Sequence, residues 1–111
     1  PHVLAERLDV FLDANASDPN LTLKVVMQAF SISKSYACRL FADLGTTFTE
    51  QLMQHRVTKA KRLLDSTDEP VYVIAELCGF RNARRMAEAF QRVVGMSPTQ
   101  YRQNGGPDRT E

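Results

Sequence analysis

The chain has no tryptophan, and its 111 residues hold only two cysteines and two histidines. Cys38 and Cys78 form neither a metal-ligand spacing nor a disulfide framework, which points to a reducing, cytoplasmic setting. His2 and His55 have no partners at metal-ligand spacing. There is no glycine-rich phosphate loop, no paired-carboxylate site and no nucleophile constellation, so neither an enzyme nor a cofactor is expected. No apolar run approaches the roughly 20 residues that cross a bilayer, so no membrane partner is expected either. The opening Pro1-His2-Val3 lacks an initiator methionine and the basic region of a signal peptide, and reads as the start of a fragment. No segment alternates polar and apolar residues at the period of a strand, which leaves an all-α chain.

A strong charge of one sign is also missing: the formal net charge is +1. Its distribution is uneven. Residues 1–20 carry Arg7 against Glu6, Asp9, Asp13 and Asp18. Residues 21–66 carry Lys24, Lys34, Arg39, Arg56, Lys59, Lys61 and Arg62 against Asp43, Glu50 and Asp65. A basic centre beside an acidic N-terminal end fits a one-sided phosphate-binding face, and equally a solvated helix surface. The hydrophobic content of 43% is that of a globular domain.

What is present is a repeat. Val26-Met27-Gln28-Ala29-Phe30-Ser31-Ile32, then Ser33 to Phe41 and Gly45, has the outline of Ile74-Ala75-Glu76-Leu77-Cys78-Gly79-Phe80, then Arg81 to Phe90 and Gly95. Each copy reads as a short helix, a tight turn, a second helix and a glycine stop. That is a helix-turn-helix layout, whose second helix can enter a DNA major groove.

Around this repeat the periodicity predicts about seven helices. Leu4, Leu8, Phe11 and Leu12 mark an amphipathic helix over 3–15. Thr22 and Ser33 are N-caps for the next two helices. Ala37, Leu40, Phe41 and Leu44 form an inward stripe, repeated by Met86, Ala89, Phe90 and Val93. Thr47-Phe48-Thr49-Glu50 is a capping box opening a long helix to about Asp65, with Leu52, Val57, Ala60, Leu63 and Leu64 as buried positions. Pro70 suits the first turn of a fifth helix, and Ser97-Pro98-Thr99-Gln100 opens a short last one. The aromatic residues Phe41, Phe80 and Phe90 belong to the core. The expected organisation is one domain over 1–104, with a first helix-turn-helix subdomain (1–46), a linker helix (47–66), a second subdomain (67–104) and a disordered tail (105–111).

Ala60-Lys61-Arg62-Leu63-Leu64, Ile74-Ala75…Gly79-Phe80 and Phe90…Gly95-Met96-Ser97-Pro98…Tyr101-Arg102 together resemble the C-terminal signature of AraC/XylS-type transcription regulators. The resemblance runs over roughly residues 5–103. It implies two helix-turn-helix subdomains on a long shared helix, and binding to double-stranded promoter DNA. It further implies activation through RNA polymerase, and a sensor or dimerisation region N-terminal to this domain. The sequence departs from the pattern at Met27, at Ser31 (where a turn glycine is usual), at Ala37 and at Glu88, where many members carry arginine.

Carried over by residue, the resemblance has the first reading helix present Ser35, Cys38 and Arg39, and the second Ala83, Arg84, Ala87 and Glu88. Arg39 has the planar fork that grips guanine O6 and N7; its other reading is a surface or phosphate-contacting arginine. Ala87 can touch a thymine methyl. Glu88 can accept from cytosine N4, or it can pair with Arg84 one turn back. Lys34, Arg81 and Arg85, at or near reading-helix N-termini, are candidate phosphate contacts. Arg56 either contacts phosphate or ties the linker helix to a subdomain. A helical protein-interaction module on the same scaffold is the alternative function.

Overall fold

The computed structural model describes residues 2–104; Pro1 and the expected tail at 105–111 lie outside the described residues. Seven helices follow in order: α1 (His2–Asn15), α2 (Leu23–Phe30), α3 (Lys34–Asp43), α4 (Phe48–Ser66), α5 (Val71–Leu77), α6 (Ala83–Val93) and α7 (Pro98–Gln103). Among the described residues there is no strand, and no helix is long and apolar enough to cross a membrane. The molecule measures 45 × 25 × 20 Å.

Short polar side chains start most of these helices. Thr22 Oγ1 accepts from the Val25 N–H, Ser33 Oγ from Tyr36 and Thr47 Oγ1 from Glu50. Asn82 caps α6 by accepting from the Arg85 N–H. Ser97 and Gln100 form a complete reciprocal capping box, with Pro98 just inside the helix. The box expected at Thr47 is only half made, because the Glu50 carboxylate pairs with Arg92 of α6. Pro70 is the N-cap of α5, next to its first turn.

Two apolar cores sit on either side of α4. Leu8, Leu12, Val26, Leu40 and Phe41 build the first, and Leu52 of α4 joins them. Ile74, Ala75, Cys78, Met86, Ala89 and Phe90 build the second, with Val57, Ala60 and Leu64 of α4. Complete burial of side chains such as Phe41 and Phe90 stabilises the fold by about 1.5–3 kcal/mol each. One helix thus offers its N-terminal half to one core and its C-terminal half to the other. Two positions depart from expectation. Leu63 packs at the edge of the second core. Leu44 is 40% exposed, because it is the C-cap of α3, and the chain turns there into the left-handed Gly45 instead of continuing the inward stripe.

Candidate nucleic-acid interface

The repeat seen in the sequence is a repeat in backbone geometry. After α2 the Ser31 N–H bonds to Gln28 O and the Ile32 N–H to Met27 O; after α5 the Gly79 N–H bonds to Glu76 O and the Phe80 N–H to Ala75 O. Both pairs are the 5→2 and 6→1 bonds of a Schellman turn, which needs a left-handed residue at the turn. Ser31 (φ 54°) and Gly79 (φ 92°) supply it. The second copy then takes one more residue before its cap, so position 39 of α3 corresponds to position 88 of α6.

On α3, Lys34, Ser35, Cys38 and Arg39 are all exposed, opposite the buried Ala37, Leu40 and Phe41. Among the described residues the side chains of Lys34 and Arg39 have no hydrogen-bond or ion-pair partner, so both cations stand ready for an external anion or base edge. On α6, Arg84 and Glu88 are exposed and form the one-turn pair, with Nε 3.5 Å from Oε2. Ala83 and Ala87 beside them are half-buried, and Arg85 is exposed with its guanidinium unpaired among the described residues. The structure therefore brings the seven proposed base-reading residues onto two helices: three exposed polar or charged residues on α3, and an Arg84–Glu88 pair flanked by two alanines on α6.

Arg56 and Arg81 sit elsewhere, at the junction of the two subdomains. Arg56 Nε donates to the Ala16 carbonyl at 2.8 Å and its Nη2 to the Asp18 carbonyl at 2.9 Å. Burial pulls the Arg56 pKa below its ordinary value; Asp18 opposes this and Arg81 adds to it. Arg81 Nη2 donates to Asn20 Oδ1 at 3.3 Å. Beside them opens a cleft of about 750 Å³ whose lining includes Phe48, Leu52, Phe80, Arg56, Arg85 and Arg92.

Three ties escaped the sequence reading because each spans more than 30 residues of chain. His55 on α4 places Nε2 2.7 Å from Asp9 Oδ1 and Nδ1 3.2 Å from Asp13 Oδ1, both on α1. Asp9 also accepts from Gln51 Nε2 at 2.6 Å. Burial raises the Asp9 pKa, but the bonds from Gln51 and His55 outweigh it and hold the carboxyl below its usual range. Arg102 donates to the carbonyls of Leu64, Thr67 and Glu69, closing the C-terminal end of α4. The acidic character of residues 1–20 is thereby partly explained: Asp9 and Asp13 hold α1 on α4. Of the cysteines, Cys38 is exposed, while burial pushes the Cys78 thiol up to about 11 against the pull of Lys59.

Comparison with known proteins agrees with this geometry. The helix-turn-helix domain family matches residues 26–104. The chain is 32% identical over 101 residues to the probable transcriptional regulator LumQ of Photobacterium leiognathi, covering 86% of this chain and 41% of that protein, so it spans well under half of that relative's length. The C-terminal domain of AraT, a response regulator from Geobacillus stearothermophilus, superposes with a TM-score of 0.87 at 31% identity, covering 96% of this chain and 90% of that one. The DNA-binding domain of AdpA, solved with a target DNA, shares the fold at a TM-score of 0.81 and 24% identity, covering 89% of each chain. The chain belongs to the AraC-type helix-turn-helix domains, the DNA-binding part of transcriptional regulators.

Proposed function

We propose that this domain binds a specific double-stranded promoter sequence by laying α3 and α6 into successive major grooves of one DNA face. The observation that carries this reading is the duplicated Schellman-turn unit, each copy followed by a helix with its outer face exposed, both seated on α4. The 19 residues of α4 span about 28 Å at 1.5 Å per residue, and the molecule is 45 Å long. One turn of B-DNA is about 34 Å, which lies between these lengths. Arg39 reads a guanine, Ser35 and Cys38 allow close approach, and Ala83, Ala87 and Glu88 face the second groove, with Arg84 and Arg85 beside them. Lys34, Arg81 and Arg85 are the candidate phosphate contacts, while the Arg56 guanidinium is committed to the loop carbonyls of Ala16 and Asp18. The AdpA domain supports the reading, since that protein was solved on its target DNA. The resemblance to AraC/XylS regulators extends the proposal to a promoter-bound activator that contacts RNA polymerase.

Hydroxyl-radical footprinting on a site selected from random duplex tests the two-groove reading. The expected result is two protected patches about 10 base pairs apart on one face. A single patch contradicts it, and no selectable site at moderate salt favours the protein-interaction module instead.

A further inference from the structure

Two reading helices recognise a fixed sequence only if their separation and rotation are fixed. Each added base pair between half-sites moves the second groove by about 3.4 Å and turns it by about 35°. The shared helix α4 sets part of that geometry. A second connection bypasses the core packing and joins the α1–α2 loop of the first subdomain to the turn of the second helix-turn-helix.

Its geometry is unusually closed. Arg56 leaves the middle of α4 and its Nε and Nη2 grip the carbonyls of Ala16 and Asp18, two residues apart in the loop. The turn glycine of the second unit lies against the same loop: a Cβ at Gly79 would stand 2.2 Å from the Ala16 carbonyl oxygen, 2.9 Å from Arg56 Nε and 3.0 Å from the Ser17 carbonyl carbon. Gly79 is thus required twice, by its φ of 92° and by the backbone pressed onto it. Two residues on, Arg81 reaches back to Asn20 of the loop. Ser31, the matching turn residue of the first unit, tolerates a side chain and is exposed.

We infer that Arg56 and Gly79 are positioning residues that lock the phase between the two reading helices, and so select the spacing of the two half-sites. The inference rests on the two-groove reading proposed above. The guanidinium suits the task because its fork places two donors at fixed angles on two carbonyls. An ammonium at the same place keeps the charge but cannot hold both in that geometry.

The test measures binding to a series of duplexes whose two half-sites are separated by spacers that vary one base pair at a time. The wild-type domain, Arg56→Lys and Gly79→Ala are compared, with thermal unfolding and helicity measured alongside. The readout is the ratio of Kd at neighbouring spacers to Kd at the best one. Wild type is expected to prefer its best spacer by about tenfold or more, and Arg56→Lys to reduce that ratio to about threefold or less, in line with a groove displaced by several ångströms. Gly79→Ala, if folded, is expected to shift or flatten the optimum further. Arg56→Lys carries the decision if Gly79→Ala does not fold, since it keeps the charge and adds no atoms at the contact.

A uniform loss of affinity at every spacer, with the ratio preserved, overturns the inference and returns Arg56 to phosphate binding or plain structural support. An unchanged ratio at unchanged affinity overturns it as well. Failure of the two-groove reading is visible separately, in the wild-type arm alone, as binding that ignores the spacer.

Discussion

The two helix-turn-helix units share a turn and differ in what surrounds it. In the first, the left-handed position is Ser31, open to solvent and held only by its Schellman bonds. In the second it is Gly79, buried beneath the Ala16 carbonyl. The helices that follow the turns, α3 and α6, differ in the same spirit. α3 presents Arg39 with no partner among the described residues, whereas the matching position on α6 is Glu88, tied to Arg84. One backbone motif therefore serves two purposes. The first copy leaves the outer face of its second helix exposed; the second is clamped into the body of the protein, with Arg84 and Glu88 paired on that face.

The largest effect follows from that clamp. Gly79→Ala forces a left-handed alanine and drives its Cβ into backbone that cannot step aside without releasing Arg56. The expected loss is about 3 kcal/mol or more, at the high end for a single substitution. Urea denaturation checks it. A loss under about 1 kcal/mol would mean that the loop yields easily and that the two turns are equivalent after all.

Next in size is Arg39→Ala. Losing a bidentate guanine contact should cost about 1–3 kcal/mol on the preferred site and much less on random duplex. Lys34→Ala should instead weaken both alike and lower the salt slope by about one. Titrations at several salt concentrations separate the two. Equal losses for Arg39→Ala on both DNAs would place Arg39 among the phosphate contacts.

Much of this architecture was legible in the chain, because it depends on local rules. Thr22, Ser33 and Ser97 announce helix starts through bonds spanning three residues, and the inward stripe of α6 follows from the helical period alone. The repeat itself can be read by aligning Val26 with Ile74 and Ser31 with Gly79. What could not be read joins distant segments. Glu50 looked like a capping partner because its N3 position fits, but Arg92 offers a charged partner that only the fold brings near. Arg56 was balanced between DNA and protein until the loop carbonyls of Ala16 and Asp18 were placed beside it. His55 has no metal-ligand partner by spacing, and its carboxylate partners Asp9 and Asp13 are more than 40 residues away in the chain. The exposed residues of α3 and α6 are legible as one face of each helix, because that follows from the helical period.

A smaller effect concerns α1, which Asp9 ties to α4. Asp9 has its pKa lowered in the folded state, so its contribution is present above the unfolded carboxylate pKa and is lost as pH falls through the lower folded value. Asp9→Asn should therefore reduce stability at neutral pH and weaken the fall in stability below about pH 4. Unfolding midpoints from pH 2 to 7 check this. An acid limb identical to wild type would show that the carboxylate adds nothing beyond its neutral hydrogen bonds.

The smallest effect is expected at the other turn. Ser31→Gly relieves a left-handed serine but adds freedom to the unfolded chain, and these terms nearly cancel, leaving a gain of about 0.5 kcal/mol. Its contrast with Gly79→Ala matters more than its size. A destabilisation above about 1 kcal/mol would reveal a role for the serine hydroxyl.

The most direct test of unequal subdomains is binding-site selection with wild type and Glu88→Gln side by side. A carboxylate in the second groove is repelled by phosphate unless it meets a cytosine amino group. If α3 carries the discrimination, Glu88→Gln raises affinity for random duplex and leaves the preferred sequence at the first half-site unchanged. A sharp loss of binding to the preferred site, confined to one cytosine position, would show that Glu88 reads a base and that α6 discriminates as strongly as α3.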